Sequence, residues 1–146
     1  MKKLIFITFL CYSFCSTAQT QPVNSTKHIL ILLDGSGSML EKWKGTTKWE
    51  TAKKLISQTI DSIERSDPNV EIGLRVFGHQ SPDAAKDCKD SKLEVPIGKT
   101  NATAIKTKLK EIEPKGNTPI AYSLFLAAGD FTKQGALNSI ILITDG

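Results

Sequence analysis

The sequence predicts an α/β fold of three layers: a doubly wound, mostly parallel sheet with helices on both faces and one antiparallel edge strand. Three observations predict it. Strand-like and helix-like stretches alternate along the chain. Two strand candidates, residues 28–33 and 139–144, are apolar at almost every position, as in the interior of a parallel sheet. Both run into the same dipeptide, Asp34-Gly35 in one case and Asp145-Gly146 in the other.

The N-terminal stretch stands outside this pattern. Lys2 and Lys3, an apolar run from Leu4 to Phe14, and Ser16-Thr17-Ala18 have the layout of a secretory signal. Residues 1–18 are therefore expected to be removed, and residues 19–26 to form a short linker ahead of one domain over 27–146. The apolar run is shorter than the ~20 residues that cross a bilayer, and no later run is longer, so no membrane span is expected after signal removal. Lipid attachment is not expected either, because Leu10 precedes Cys11 and Phe14 precedes Cys15 where lipoprotein processing wants a small residue. The expectation is an exported protein: periplasmic, surface-attached or secreted. After the signal, 17 basic residues face 15 acidic ones with no basic run, which speaks against a nucleic-acid partner.

The elements follow in order. His28–Leu33 is the first central strand. Trp49, Ala52, Ile56, Ile60 and Ile63 recur at helical spacing and predict an amphipathic helix over 49–63, with Trp49 covering core. Glu71–Phe77 alternates, with Ile72, Leu74 and Val76 on one face and Gly73, Arg75 and Phe77 on the other. No helix fits before the next strand candidate, Lys92–Ile97, so that strand should run antiparallel to its predecessor. Pro96 places it at a sheet edge.

Ala102, Ile105, Leu109 and Ile112 mark a second helix with Asn101 as its N-cap and Lys106, Lys108 and Lys110 on a solvated face. Thr118-Pro119 opens a third, with Ala121, Leu124, Phe125, Ala128 and Phe131 as its buried stripe. Ser139–Thr144 is the last strand.

In an open sheet of this kind, ligands sit at the carboxyl ends of the strands, where Asp34 and Asp145 both fall. Asp34, Ser36 and Ser38 alternate in a glycine-containing loop that can curl to bring all three to one point. Thr118 starts a helix on the same side. These five residues offer only oxygen, the donor set of a hard cation such as Mg²⁺, Mn²⁺ or Ca²⁺. No histidine or cysteine lies near them in sequence, so zinc is disfavoured. Taken alone, the glycine-serine loop would read as a plain turn.

Leu33-Asp34-Gly35-Ser36-Gly37-Ser38-Met39 resembles the first metal-site motif of von Willebrand factor A domains. Gly116-Asn117-Thr118-Pro119-Ile120 and Leu142-Ile143-Thr144-Asp145-Gly146 resemble the second and third. The resemblance implies a Rossmann-like sheet in the order 3-2-1-4-5-6. It also implies a metal-ion-dependent adhesion site in which the hydroxyls of Ser36, Ser38 and Thr118 bind the cation directly, while Asp34 and Asp145 act mainly through bound waters. An open octahedral position would then accept a carboxylate from a protein partner. Asn117 stands where the family commonly has glycine.

Bacterial exported members also echo Val76-Phe77-Gly78-His79, Cys88 and Leu93–Gly98. The family fold continues past the third motif, so the chain is expected to lack the last strands and to leave its fourth strand as a bare apolar edge. In related exported members a cysteine past that motif would pair with Cys88. Read from the residues alone, Cys88 is either a buried free thiol or the half of a disulfide whose partner lies outside this chain.

The function expected is non-catalytic binding of a protein ligand that presents a carboxylate. The alternative is a structural module of a larger secreted or surface protein, its loops held by the metal. A metal-dependent hydrolase fits least, since Ser36 stands where aspartate-based phosphoryl-transfer enzymes carry a second carboxylate. Nucleotide motifs fail too: the Gly-x-Gly-x-x-Gly frame from Gly35 meets Leu40, and Gly98-Lys99-Thr100 has Leu93 where a phosphate loop needs glycine. His79 is read as a surface histidine near the site, and Trp43 as packing on a loop.

Overall fold

The computed structural model describes residues 26–132 and 136–146. The expected signal at 1–18 and the linker up to residue 25 lie outside the described residues. The main elements are β1 (Lys27–Asp34), β2 (Lys42–Trp43), β3 (Thr46–Thr47), α1 (Lys48–Ser66), β4 (Val70–Phe77), β5 (Ser91–Gly98), α2 (Ala102–Glu111), α3 (Ile120–Gly129) and β6 (Leu137–Ile143).

β1 is central because it is apolar on both faces. It pairs in parallel with β4 on one side, Asp34 opposite Phe77, and with β6 on the other, Leu33 opposite Ile143. β5 pairs antiparallel to β4, giving the order β5-β4-β1-β6. The antiparallel edge strand is as the sequence implies: Pro96 is exposed there, where its missing N–H leaves no buried acceptor empty.

The period of two in each strand divides the core. Ile31, Leu33, Ile72, Leu74 and Val76 face α1 and α2, where they meet Ile56, Ile60, Ile105 and Leu109. Leu30, Leu32 and Phe77 face α3 and meet Ala127. Each large aliphatic side chain so buried contributes about 1.5–3 kcal/mol. Arg75, on the α3 face, keeps its charge inside by a two-pronged bond to Asp130, 2.7 and 2.8 Å, and a third to Ser91.

α1 begins at Lys48 because the Thr47 hydroxyl accepts the Glu50 N–H at 3.1 Å. Before it comes the hairpin β2–β3, not expected from the sequence, turning on Lys44 and Gly45, both at positive φ. Trp43 on this hairpin is 48% exposed, with the Lys44 ammonium 5.1 Å from its ring centre, while Trp49 is buried as expected.

Several expectations need correction. Asn101 sits at the N-cap of α2 but does not cap it; its amide donates to the carbonyls of Ile72 and Pro96, and Glu64 of α1 takes the Ala102 N–H instead. Lys106 is not merely solvated, since it reaches Asp61 of α1, and Lys108 reaches Glu111. α3 starts after Pro119, so Thr118 is not its cap, and it buries Ser123 and Ala127. Of the expected stripe only Phe131 packs on the core; Leu124 and Phe125 are exposed, because α3 lies over β1, β4 and β5 and turns that flank outward. β6 is an outer strand, with Leu137, Ile141 and Leu142 exposed.

Neighbouring positions in α1 give a direct test of this core. Ile56→Ala is expected to reduce stability in urea unfolding by about 2–5 kcal/mol. Leu55→Ala, at a side chain 53% exposed, should change it by less than about 1 kcal/mol.

Candidate metal centre

Three backbone segments meet at the carboxyl edge of the sheet. The Gly35 N–H donates to the Phe77 carbonyl at 2.7 Å, the Gly37 N–H to that of Gly116 at 3.0 Å, and the Gly116 N–H to that of Gly78 at 2.8 Å. The approach requires glycine. A Cβ on Gly35 would stand 2.9 Å from the Phe77 carbonyl oxygen, and one on Gly78, whose φ is +70°, would collide with the Asn117 carbonyl. Asp90, buried in the loop ahead of β5, secures the middle segment by accepting the N–H groups of Gln80 and Ser81, both at 2.9 Å. Its role escaped the sequence reading.

The side-chain oxygens collect on this frame. Asp34, fully buried at the end of β1, accepts the Ser36 N–H at 2.8 Å on one carboxylate oxygen and the Thr144 hydroxyl at 2.7 Å on the other. The Ser36 and Ser38 hydroxyls are 3.0 Å apart, and Ser38 donates to Asp145 Oδ1 at 3.1 Å. Four of the five predicted residues, Asp34, Ser36, Ser38 and Asp145, thus form one connected cluster. Thr118 reaches the same edge, two residues beyond Gly116, which bridges to Ser36. Among the described residues, however, no hydrogen bond joins its hydroxyl to the other four. It lines a neighbouring cavity with Asp83, Lys86, Cys88 and Asn117.

Two participants were missed. Thr144 was read only as part of a motif, yet its hydroxyl ties β6 to β1. Lys48, the first residue of α1, donates to Asp145 Oδ2 at 2.6 Å and to Glu41 at 2.7 Å. Burial, the largest single influence, pushes the Asp145 carboxyl up, but the Lys48 and Ser38 bonds outweigh it and hold the group below the usual carboxylate range. Asp145, and then Glu41, hold the Lys48 ammonium above the ordinary lysine range. Among the described residues no three of His, Cys, Asp and Glu are grouped to hold a metal. A cation here would depend on hydroxyls as well as carboxylates.

His79 is not the surface residue expected. It is 8% exposed, and its Nε2 lies 2.9 Å from Glu94 of β5, whose carboxylate also meets Lys92 at 2.9 Å. Nor is Cys88 buried: it is a free, exposed thiol whose sulfur lies 3.6 Å from the Lys86 carbonyl oxygen.

Burial is the strongest influence on Glu94 and acts upward, yet the hydrogen bonds from Lys92 and His79 outweigh it and hold its carboxyl below the usual glutamate range. A lowered folded pKa means stability that is present above the unfolded value and lost as pH falls through the folded one. Glu94→Gln should therefore be less stable than the parent at neutral pH, by about 1.5–3 kcal/mol. The two should converge as thermal melts are taken from neutral pH down through the acid range in which an ordinary glutamate, about 4.3, and then Glu94 itself take up a proton.

Comparison with known proteins fits this geometry. The profile of the von Willebrand factor type A domain matches residues 29–146. The uncharacterized protein YwmD of Bacillus subtilis (strain 168) is 30% identical over 155 aligned positions, covering 100% of this chain and 68% of the relative. Among solved structures, an aerotolerance-related membrane protein from Bacteroides fragilis is 30% identical with a TM-score of 0.63, over 80% of this chain and 52% of that one. The pilus adhesin SpaC of Lactobacillus rhamnosus GG superposes with a TM-score of 0.68 over 86% of this chain and 15% of its own length; at 23% identity it speaks for the fold alone. This chain thus spans about two-thirds of the curated relative and about half of the Bacteroides structure.

Proposed function

Because the chain belongs to the von Willebrand factor type A domain family, we propose that it is a divalent-cation-dependent protein-binding module of an exported or surface protein. The observation that carries this is the meeting of two hydroxyls at one edge of the sheet, those of Ser36 and Ser38, 3.0 Å apart with the Asp34 and Asp145 carboxylates beside them. Neighbouring ligands in an octahedral shell of radius about 2.1 Å are about 3 Å apart, so the two hydroxyls can serve as adjacent ligands of Mg²⁺, with Mn²⁺ or Ca²⁺ as alternatives. The hydroxyl protons that now bridge oxygen to oxygen need only rotate outward to free lone pairs for an ion.

Ser36 and Ser38 would hold the cation directly, with Thr118 beside them, while Asp34 and Asp145 would act through water. Neutral direct ligands leave the ion electron-poor, so that it takes up a carboxylate from the partner. Asp34 suits an indirect role, being already engaged on both oxygens by Ser36 and Thr144. The likeness to an aerotolerance-related membrane protein, together with the signal-like residues 1–18, supports an exported or surface location. The role proposed is binding without catalysis.

One observation favours a second reading, a structural module in which the cation only holds loops. Thr144–Asp34, Ser38–Asp145 and Lys48–Asp145 already cross-link β1, β6 and α1.

Magnesium distinguishes these readings. Thermal melts should rise on adding Mg²⁺, by an amount equivalent to about 2.7 kcal/mol at a hundredfold excess over Kd. Asp34→Ala, and the milder Asp34→Asn, should abolish the rise. A panel of Asp- and Glu-containing peptides should bind only with Mg²⁺ and lose binding when the carboxylate is amidated. A rise without any Mg²⁺-dependent peptide binding would favour the structural reading, binding by Asp34→Ala in chelator would refute the metal-dependent one, and turnover of a generic phosphate ester would refute the absence of catalysis.

A further inference from the structure

Lys48 is the one formal positive charge that, among the described residues, forms a hydrogen bond with either carboxylate of the cluster. Its ammonium lies 2.6 Å from Asp145 Oδ2, opposite the oxygen that takes the Ser38 hydroxyl, and 2.7 Å from Glu41. The side chain is about a quarter exposed, so this contact is only partly shielded from solvent. Its position is fixed on both sides. The Thr47 hydroxyl starts α1 at Lys48, and the Lys48 N–H donates to the Glu41 carbonyl at 3.0 Å, which closes the hairpin beneath the ammonium.

Among the described residues, Asp34 has no such cation as a partner. Its partners are a backbone N–H and a hydroxyl, which satisfy hydrogen bonds without cancelling charge. A metal-free cluster of two carboxylates at one sheet edge would repel itself, and Lys48 is placed to offset that repulsion.

We propose that Lys48 is the internal counter-cation of this site: it holds Asp145 while no divalent ion is bound, competes with the ion when one arrives, and so sets the affinity. The inference rests on the cation-binding reading of the cluster and adds to it a residue that tunes the site. The competition holds whether the ammonium leaves Asp145 or stays, because a like charge beside a divalent ion weakens its binding in either case. Glu41 gives the displaced ammonium a second partner.

The experiment is a calorimetric titration of the purified chain with MgCl₂, in the parent and in Lys48→Met, Lys48→Gln and Lys48→Arg, with thermal melts in chelator and in saturating Mg²⁺. Lys48→Met keeps the aliphatic stem and removes the charge; it should bind Mg²⁺ about tenfold tighter, melt lower than the parent in chelator, and gain more from Mg²⁺. Lys48→Gln should follow it, which guards against a folding defect in either variant. Lys48→Arg, which keeps the positive charge, should stay within about twofold of the parent. If the parent binds Mg²⁺ and the neutral variants bind it equally or more weakly, the counter-cation role is wrong while the metal site stands. If neither the parent nor any variant binds Mg²⁺, the cation-binding reading itself falls, and this inference with it.

Discussion

The parallel pairing of β1 with β4 and β6 is the constraint on which the rest of the structure depends. Parallel strands bring their carboxyl ends to one edge, and the register sets Leu33 opposite Ile143 and Asp34 opposite Phe77. Asp34, at the end of one strand, and Thr144 and Asp145, just past the end of the other, become neighbours although more than a hundred residues separate them. The 2.7 Å bond from Thr144 to Asp34 records that register in side chains. A slip of one residue would turn Leu30 and Leu32 toward α1 and Ile31 and Leu33 toward α3, exchanging the occupants of two differently shaped cores.

Gathering acidic groups at an edge creates an electrostatic problem that the surrounding residues answer in two ways. Asp34 is fully buried and receives neutral donors, a backbone N–H and a hydroxyl. Asp145 receives the Lys48 ammonium, and the net result is a carboxyl held below its usual range in spite of burial. The serine hydroxyls between them are donors and acceptors at once, so the same oxygens can bridge to each other or turn to a cation without moving. The backbone beneath is tied by the bonds of Gly35 to Phe77, Gly37 to Gly116 and Gly116 to Gly78, and at Gly35, Gly78 and Gly116 the packing is too close to admit a Cβ.

Much of this was legible in the sequence. The apolar runs of β1, the alternation of β4 and the helical spacing of α1 are local patterns, and Asp-Gly at two strand ends marked the site. Lys48 and Thr144 as partners of Asp145 and Asp34 were not legible, because each contact spans about a hundred residues and follows only from the strand register. Helix α3 misled because its apolar residues run around much of its circumference, so that spacing could not tell which side meets the sheet. His79 looked like a solvent residue until Glu94 arrived from an antiparallel strand to receive it. The β2–β3 hairpin escaped notice because its strands are two residues each and Lys44, not glycine, takes the first left-handed position of the turn.

The proposed site is a single hard cation held at the edge of the sheet by the Ser36 and Ser38 hydroxyls, with Asp34 and Asp145 around it. It is tested most directly by a crystal structure of the chain grown in Mn²⁺, with anomalous scattering recorded at the manganese edge. One strong peak is expected in contact with the Ser36 and Ser38 hydroxyls, with water or a neighbouring carboxylate completing six-fold coordination. Crystals grown in excess Mn²⁺ with no anomalous peak at these hydroxyls, or with the ion bound only elsewhere on the chain, would contradict it.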